Sequence, residues 1–222
     1  MKKLFVSLAI ALSLFASSVC SQPVNTFVQG SLSSCSRSTT WNPSDKGSNI
    51  TLSNGNLTAT GATVWNSVRG TTSSSTGKLY FETVVTATDT AWIVGLGTSA
   101  MSLTSYVGNS ATSGGVDIAS SGTIFVSGMT SAAAAAGSWT VSDRFDIAVD
   151  LGAGKIWYGK NGTWTGSGVP STGTAPNITF TPSLTLFIAW AGNLAADSAT
   201  LRTKTSQFSD TIPVGFTAWD GC

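Results

Sequence analysis

Few of the residue types that could do chemistry in this chain are suitably partnered. Serine is abundant, yet there is no histidine to serve as its base and no G-x-S-x-G turn to present it. Lys78, Lys155 and Lys160 could replace histidine only beside a serine partner motif, and none is recognisable. Cys35 and Cys222 lack a histidine to activate a thiolate, and two distant thiols cannot complete a four-ligand zinc site. Glu82 is the single glutamate, so the paired carboxylates of glycoside hydrolysis would have to include aspartates. Asp146 and Asp150 lie four apart, which on a strand puts them on one face about 13 Å from each other, too wide for the usual pair. With Asp143 they could offer oxygens to calcium, but EF-hand-like spacing is absent, and they read as solvated aspartates that keep strand edges soluble. Gly95/Gly97 and Gly152/Gly154 lack the strand-to-helix context of a phosphate loop and read as turns or bulges. Neither enzymatic activity nor a cofactor is expected, and no metal site.

Recognition is left, and the aromatic residues are its best carriers. Of the 8 tryptophans, Trp65, Trp92 and Trp190 sit beside hydrophobic strand positions and read as core. Trp139, Trp157 and Trp164 lie near expected loops, and Tyr106 anchors the irregular stretch 101–112. These four are the candidate binding residues. A partly exposed indole stacks on a sugar or anchors a protein contact, and core-rim packing would use the same side chains.

The stretch 143–162 organises the elements that must position them. Phe145, Ile147 and Val149 alternate with Asp146, Ala148 and Asp150, the period of a strand with one buried face. Gly152 and Gly154 supply a turn, Ile156 and Tyr158 resume the alternation, and Asn161-Gly162 favours a tight reversal. Lys78 to Val85 reads as an inner strand with both faces largely nonpolar, Glu82 excepted, and Ala91 to Gly97 as its antiparallel partner. Short strands are expected around Ser53-Asn54-Gly55, a hairpin across Ser120-Ser121-Gly122, a strand over 184–190, and an outer strand over 199–202. The run Ala132 to Ala136 is too short to hold a helix alone. Many short strands, turn signals and no sustained helix give an all-β fold, a two-sheet antiparallel sandwich or a closed barrel.

Lys2 and Lys3 precede an apolar run from Leu4 to Ala16 and then small residues, the order of an export signal, with cleavage expected after Ser21. A lipid anchor at Cys20 is the lesser alternative. Residues 22–40 read as a polar leader and 41–222 as one domain, exported to the periplasm or the medium, without a membrane span after cleavage. Removing Lys2 and Lys3 from 11 basic residues leaves 9 against 10 acidic ones, which gives no footprint for a nucleic acid. In an oxidising compartment Cys35 and Cys222 are expected to pair and tie the ends of the domain together.

Several segments together resemble the SPRY domain, the concanavalin A-like sandwich also found in B30.2 modules. Gly77-Lys78-Leu79-Tyr80-Phe81-Glu82 is similar to its G-K-x-Y-F-E strand, and Val94-Gly95-Leu96-Gly97 to the V-G-hydrophobic-G strand that follows. The segments 143–150 and 155–162 resemble its D-x-hydrophobic strand and the strand ending in an aromatic pair and N-G, and Pro213-Val214-Gly215-Phe216 its terminal element. Ser142 and Asp146 stand where glycines are common, and Leu201-Arg202-Thr203 departs from the late N-F-G signature. The resemblance implies two curved antiparallel sheets in a jelly roll, in an exported member of bacterial or phage type. It also implies a non-enzymatic module that recognises a protein or peptide through loops at 99–113, 129–142, 163–176 and 191–199. A glycan-binding, adhesin-like module and a structural envelope component are the alternatives.

Overall fold

The computed structural model describes residues 35–87, 92–117, 122–132 and 139–222. The signal-like segment, most of the leader, the turn at 88–90 and all of the alanine run but Ala132 lie outside them. Among the described residues no helix is long and apolar enough to cross a membrane.

In chain order the strands are β1 (Trp41–Lys46), β2 (Thr51–Ser53), β3 (Thr58–Thr60), β4 (Asn66–Ser74), β5 (Lys78–Ala87), β6 (Trp92–Gly97), β7 (Ser113–Asp117) and β8 (Ile124–Ser127). They continue as β9 (Thr130–Ser131), β10 (Arg144–Asp150), β11 (Lys155–Lys160), β12 (Thr163–Trp164), β13 (Ile178–Thr179), β14 (Leu186–Gly192), β15 (Ser198–Arg202) and β16 (Thr217–Ala218). A six-stranded sheet runs β1-β4-β14-β6-β7-β8, and a ten-stranded sheet runs β2-β3-β15-β5-β10-β11-β13-β9, with β12 on β11 and β16 on β5. The fold is an all-β, two-sheet antiparallel sandwich with the jelly-roll architecture of the concanavalin A-like class.

The period-2 pattern decides which residues meet between the sheets. Leu79, Phe81 and Val85 of β5, Phe145, Ile147 and Val149 of β10, and Ile156 and Tyr158 of β11 face Trp92, Val94 and Leu96 of β6 and Ile188 and Trp190 of β14. The organising pair forms as its alternation requires, with Phe145 opposite Lys160 and Asp150 opposite Lys155. Asn161 (φ 52) and Gly162 (φ 80) make the left-handed reversal into β12. Ser142, standing at a glycine position of the resemblance, has φ 77, the conformation that favours glycine there. A Cβ on Gly95 would lie 2.0 Å from the carbonyl oxygen of Gly114, so the close backbone approach at that glycine is real.

Two strand expectations are corrected. Strand β6 is no partner of β5: it lies in the other sheet, between β14 and β7, where its W-I-V-G-L-G run is wholly buried. Strand β15 is not an outer strand either, being inserted between β3 and β5 with Ala199 and Leu201 in the core.

The two ends of the domain meet. Cys35 and Cys222 form a disulfide with a Cα–Cα distance of 4.8 Å across a sequence separation of 187. Beside it the buried carboxylate of Asp220 accepts from the Thr39 backbone N–H at 3.0 Å, the Thr39 hydroxyl at 2.5 Å and the Thr203 hydroxyl at 2.7 Å.

Candidate binding surface

The chemistry-bearing carboxylates gather on the outer face of the large sheet, beneath the C-terminal segment. Cross-strand register sets Glu82 of β5 beside Asp146 of β10 and Arg202 of β15. Glu82 Oε1 accepts from the Tyr80 hydroxyl at 3.1 Å and from the backbone N–H groups of Ser209 and Asp210 at 3.1 and 3.0 Å, and Oε2 pairs with Arg202 at 3.2 Å. Asp146 accepts from the Tyr80 hydroxyl at 2.8 Å and the Gly162 N–H at 2.7 Å. Asp210 closes the group through a bidentate pair with Arg144 at 2.5 and 3.1 Å.

Burial pushes the Asp146 carboxyl up to about 7, helped by the charges of Asp210 and Glu82 and opposed by the Gly162 and Tyr80 hydrogen bonds. Burial also raises the Tyr80 phenol, together with the two neighbouring carboxylates. Glu82, Asp146 and Asp210 lie close enough for one cation to reach all three, but two arginines, a phenol and backbone donors already occupy their oxygens. The arrangement clamps the C-terminal segment to the sheet. This corrects the reading of Asp146 as a solvated edge aspartate, because it is 1% exposed. The three aspartates weighed for calcium serve separate purposes, Asp143 pairing with Lys160 and Asp150 with Lys78.

The four candidate aromatic residues do not converge. Trp139 is buried and stacked on Phe145 at 3.4 Å and 11°, with the Lys160 ammonium 5.2 Å from its ring centroid. Trp157 is fully buried on the outer face of the large sheet, its indole N–H donating to the Thr174 carbonyl at 2.8 Å and its ring edge-on to Phe216. Neither offers a face to a ligand, so the reading of these two as binding residues is corrected: Trp139 packs into the main core on Phe145, and Trp157 lies beneath Thr174 and Phe216. Trp164 is half-buried and packs edge-on to Tyr80 at 6.4 Å. Tyr106 is half-buried on the opposite side of the molecule, over the small sheet.

Around Tyr106 the structure assembles residues that sequence reasoning put elsewhere. Trp65, just before β4, and Phe125, on β8, flank Tyr106 with ring centroids 5.4 and 5.2 Å away. All three are half-buried over Ile93, Met101, Val107, Ala189 and Ala191. The loop 98–112 that carries Tyr106 is tied down at several points. Arg69, bidentate to Asp45 at 2.6 and 2.7 Å, donates to the Met101 carbonyl at 2.6 Å. The Ser67 N–H donates to the Leu103 carbonyl at 2.9 Å, the Ser67 hydroxyl to the Ser105 carbonyl, and the Gly108 N–H to the Ser113 hydroxyl at 3.0 Å. Gly108 has φ 95, and a Cβ there would meet the Phe125 carbonyl oxygen at 2.3 Å, so the loop lies directly against β8. Trp65 was read as core because it adjoins a strand. The signal for Phe125 is that Ile124-Phe125-Val126 is apolar on both faces, so one face must look away from the inter-sheet core.

The SPRY domain signature matches residues 78–193, more than half of the chain. Among solved structures, the SPRY domain of human HERC1 is 14% identical with a TM-score of 0.54, over 73% of this chain and 96% of that one. The TRIM65 PSpry domain is 15% identical with a TM-score of 0.54, over 74% and 92%. A human SPRY domain is 16% identical with a TM-score of 0.51, over 69% and 94%. No curated protein sequence matches the chain. The structural likenesses agree on the sandwich fold, and the signature fixes the family: the chain belongs to the SPRY domain family, whose members are non-catalytic binding modules.

Proposed function

We propose that this chain is an exported binding module that recognises a protein or peptide on the outer face of its small sheet, with Tyr106 at the centre of the contact. The carrying observation is the half-buried trio in which Tyr106, on a loop pinned by Arg69 and Ser67, is flanked by Trp65 and Phe125. Aromatic anchors on a rigid support lose little entropy on binding and dominate protein contacts. The rings are tilted to one another by 58° and 66°. Such rings make an uneven surface suited to side chains, whereas a sugar ring stacks best on a flat platform, which favours the peptide reading over the glycan one.

Export is supported by the order of basic, apolar and small residues at 1–21 and accords with the disulfide. The proposed organisation is a signal at 1–21, a leader at 22–40 and the binding domain at 41–222, released to the periplasm or medium. A bacterial or phage-type origin rests on that leader alone.

The test is a quantitative pull-down from the native envelope or secretome beside a glycan array, with wild type, Tyr106→Ala and Trp65→Ala. One saturable protein partner, lost in both variants at unchanged circular dichroism, is the expected result. Saturable glycan binding without a protein partner, or a protein partner indifferent to both variants, would overturn the proposal.

A further inference from the structure

The acid cluster beneath the C-terminal segment is short of one hydrogen. The Tyr80 hydroxyl carries a single hydrogen, yet its oxygen lies 2.8 Å from Asp146 Oδ1 and 3.1 Å from Glu82 Oε1. Glu82 has other donors, the Ser209 and Asp210 N–H groups and Arg202. Asp146 Oδ2 takes the Gly162 N–H at 2.7 Å, but among the described residues Oδ1 has only the shared hydroxyl. A proton on Asp146 Oδ1 completes the count: it donates to the Tyr80 oxygen, and Tyr80 then donates to Glu82. Charge balance asks for the same proton. The charged groups facing Asp146 are Glu82 on β5, Arg144 on β10, Arg202 on β15 and Asp210 in the C-terminal segment, with oxygens of the three acids within 4.8 Å of one another. On β11 Asp146 meets Gly159, while Lys160 pairs with Asp143 at 2.8 Å. With Asp146 neutral, two guanidiniums balance two carboxylates; with it ionised, a buried negative charge is left over.

We infer that residues 208–214 form a proton-held latch, shut on β5 and β10 while Asp146 keeps its proton and released as a tethered loop when the proton leaves. Anchors independent of the cluster bound this stretch. On one side the Thr205 N–H donates to the Cys222 carbonyl at 2.7 Å, and on the other β16 pairs with β5. Between them the segment is held by the two N–H groups on Glu82, the Asp210–Arg144 pair and the edge-on packing of Phe208 on Tyr80 at 4.9 Å. An ionised Asp146 repels the carboxylates of the first two attachments. Release uncovers Tyr80 and its neighbour Trp164, on which Phe208 and Ile212 now pack, so the latch controls access to this face of the large sheet. Burial lifts the Asp146 carboxyl to about 7, whereas in the open loop it regains an ordinary value near 4. Opening therefore releases one proton, and it grows easier by about tenfold per pH unit between those two values and no further above them.

Hydrogen exchange of the Ser209 and Asp210 amides, the latch's own bonds to Glu82, tests this on the full chain. Corrected for intrinsic exchange, their protection is expected to fall about tenfold per pH unit from about pH 5 to about pH 7 and then level off. Urea well below the unfolding midpoint should leave their exchange unchanged, because a local opening exposes little surface, while it speeds exchange at a core amide such as that of Trp190. Asp146→Asn, whose amide both donates to Tyr80 and accepts from Gly162, is expected to stay shut with no pH-dependent loss. In wild type the infrared carbonyl band of a buried, protonated carboxyl should be present at about pH 6 and gone by about pH 9, which reads the proton without any substitution. Protection that is flat with pH, a fall that persists in Asp146→Asn, urea sensitivity equal to that of Trp190, or absence of the band would each overturn the inference.

Discussion

Replacing Glu82 with alanine tests whether the buried acid network holds the C-terminal segment on the large sheet. Glu82 has no exposed surface, and its two oxygens take the Tyr80 hydroxyl, the Ser209 and Asp210 N–H groups and the Arg202 guanidinium. Breaking a buried pair by removing one partner typically costs about 3–5 kcal/mol, because the other charge stays uncompensated. Two features bring this case to the lower end. Ser209 is exposed and Asp210 half-buried, so water can reach their freed N–H groups, and losing one carboxylate relieves repulsion on Asp146. The expected loss is therefore about 3 kcal/mol, a large part of the 5–15 kcal/mol typical of a domain. Urea unfolding followed by tryptophan fluorescence reads it directly: with a slope of about 2 kcal/mol per molar, the midpoint falls by about 1.5 M. Glu82→Gln, which keeps an acceptor for the backbone donors, should lose less. A cost below about 1 kcal/mol for Glu82→Ala would refute the reasoning and leave the segment held by the Arg144–Asp210 pair, aromatic packing, the Asp220 hydrogen bonds and the disulfide.

The paired change Cys35→Ser with Cys222→Ser should lower stability by up to about 5 kcal/mol on the loop-entropy model while the fold persists, since Asp220 still joins Thr39 to Thr203. Two freely alkylated thiols in native, unreduced protein, read by mass, would refute the pairing itself. The pH dependence follows from Asp146, raised from an ordinary carboxylate value to about 7: its contribution is complete below about pH 4 and is lost as pH rises through 7. Asp143 runs the other way. Burial raises it, but hydrogen bonds from Lys160, Asn161 and Thr140 prevail and hold it at about 2, so its contribution is lost only as pH falls towards 2. Stability read from urea unfolding should thus decline between pH 5 and pH 8 by on the order of 2–4 kcal/mol, and the decline should vanish in Asp146→Asn; stability flat or rising over that range, or a slope unchanged in Asp146→Asn, would count against it.

The strands were legible where local alternation alone decides them, as in β10 and β11, and the family motifs were legible because glycines and turn residues stand at fixed offsets. Sheet membership was not. The wholly apolar β6 reads the same beside β5 as in the opposite sheet, and only the long connections decide between them. Burial of Trp139 and Trp157 was hidden for a related reason. Each adjoins a loop in sequence, but the cover over Trp157 comes from Thr174 and Phe216, residues 17 and 59 positions downstream. The network around Glu82 was equally hidden, since Ser209 and Asp210 stand more than 120 positions away from it in the chain.

Both sheets of a sandwich have an outer face, and this chain treats the two differently. The large sheet receives the C-terminal segment, fixed by carboxylates, aromatic rings and a disulfide, so its apolar outward residues are spent on the fold and what stays open carries hydroxyls. The small sheet receives loop 98–112, which is tied by Arg69 and Ser67 yet leaves three rings half-exposed. Had those rings served only to seal the face, the cover should have buried them as fully as it buries Trp157. Their partial exposure on a tethered loop is what the proposed contact with a protein or peptide would use, on the face away from the carboxylate cluster of Glu82, Asp146 and Asp210.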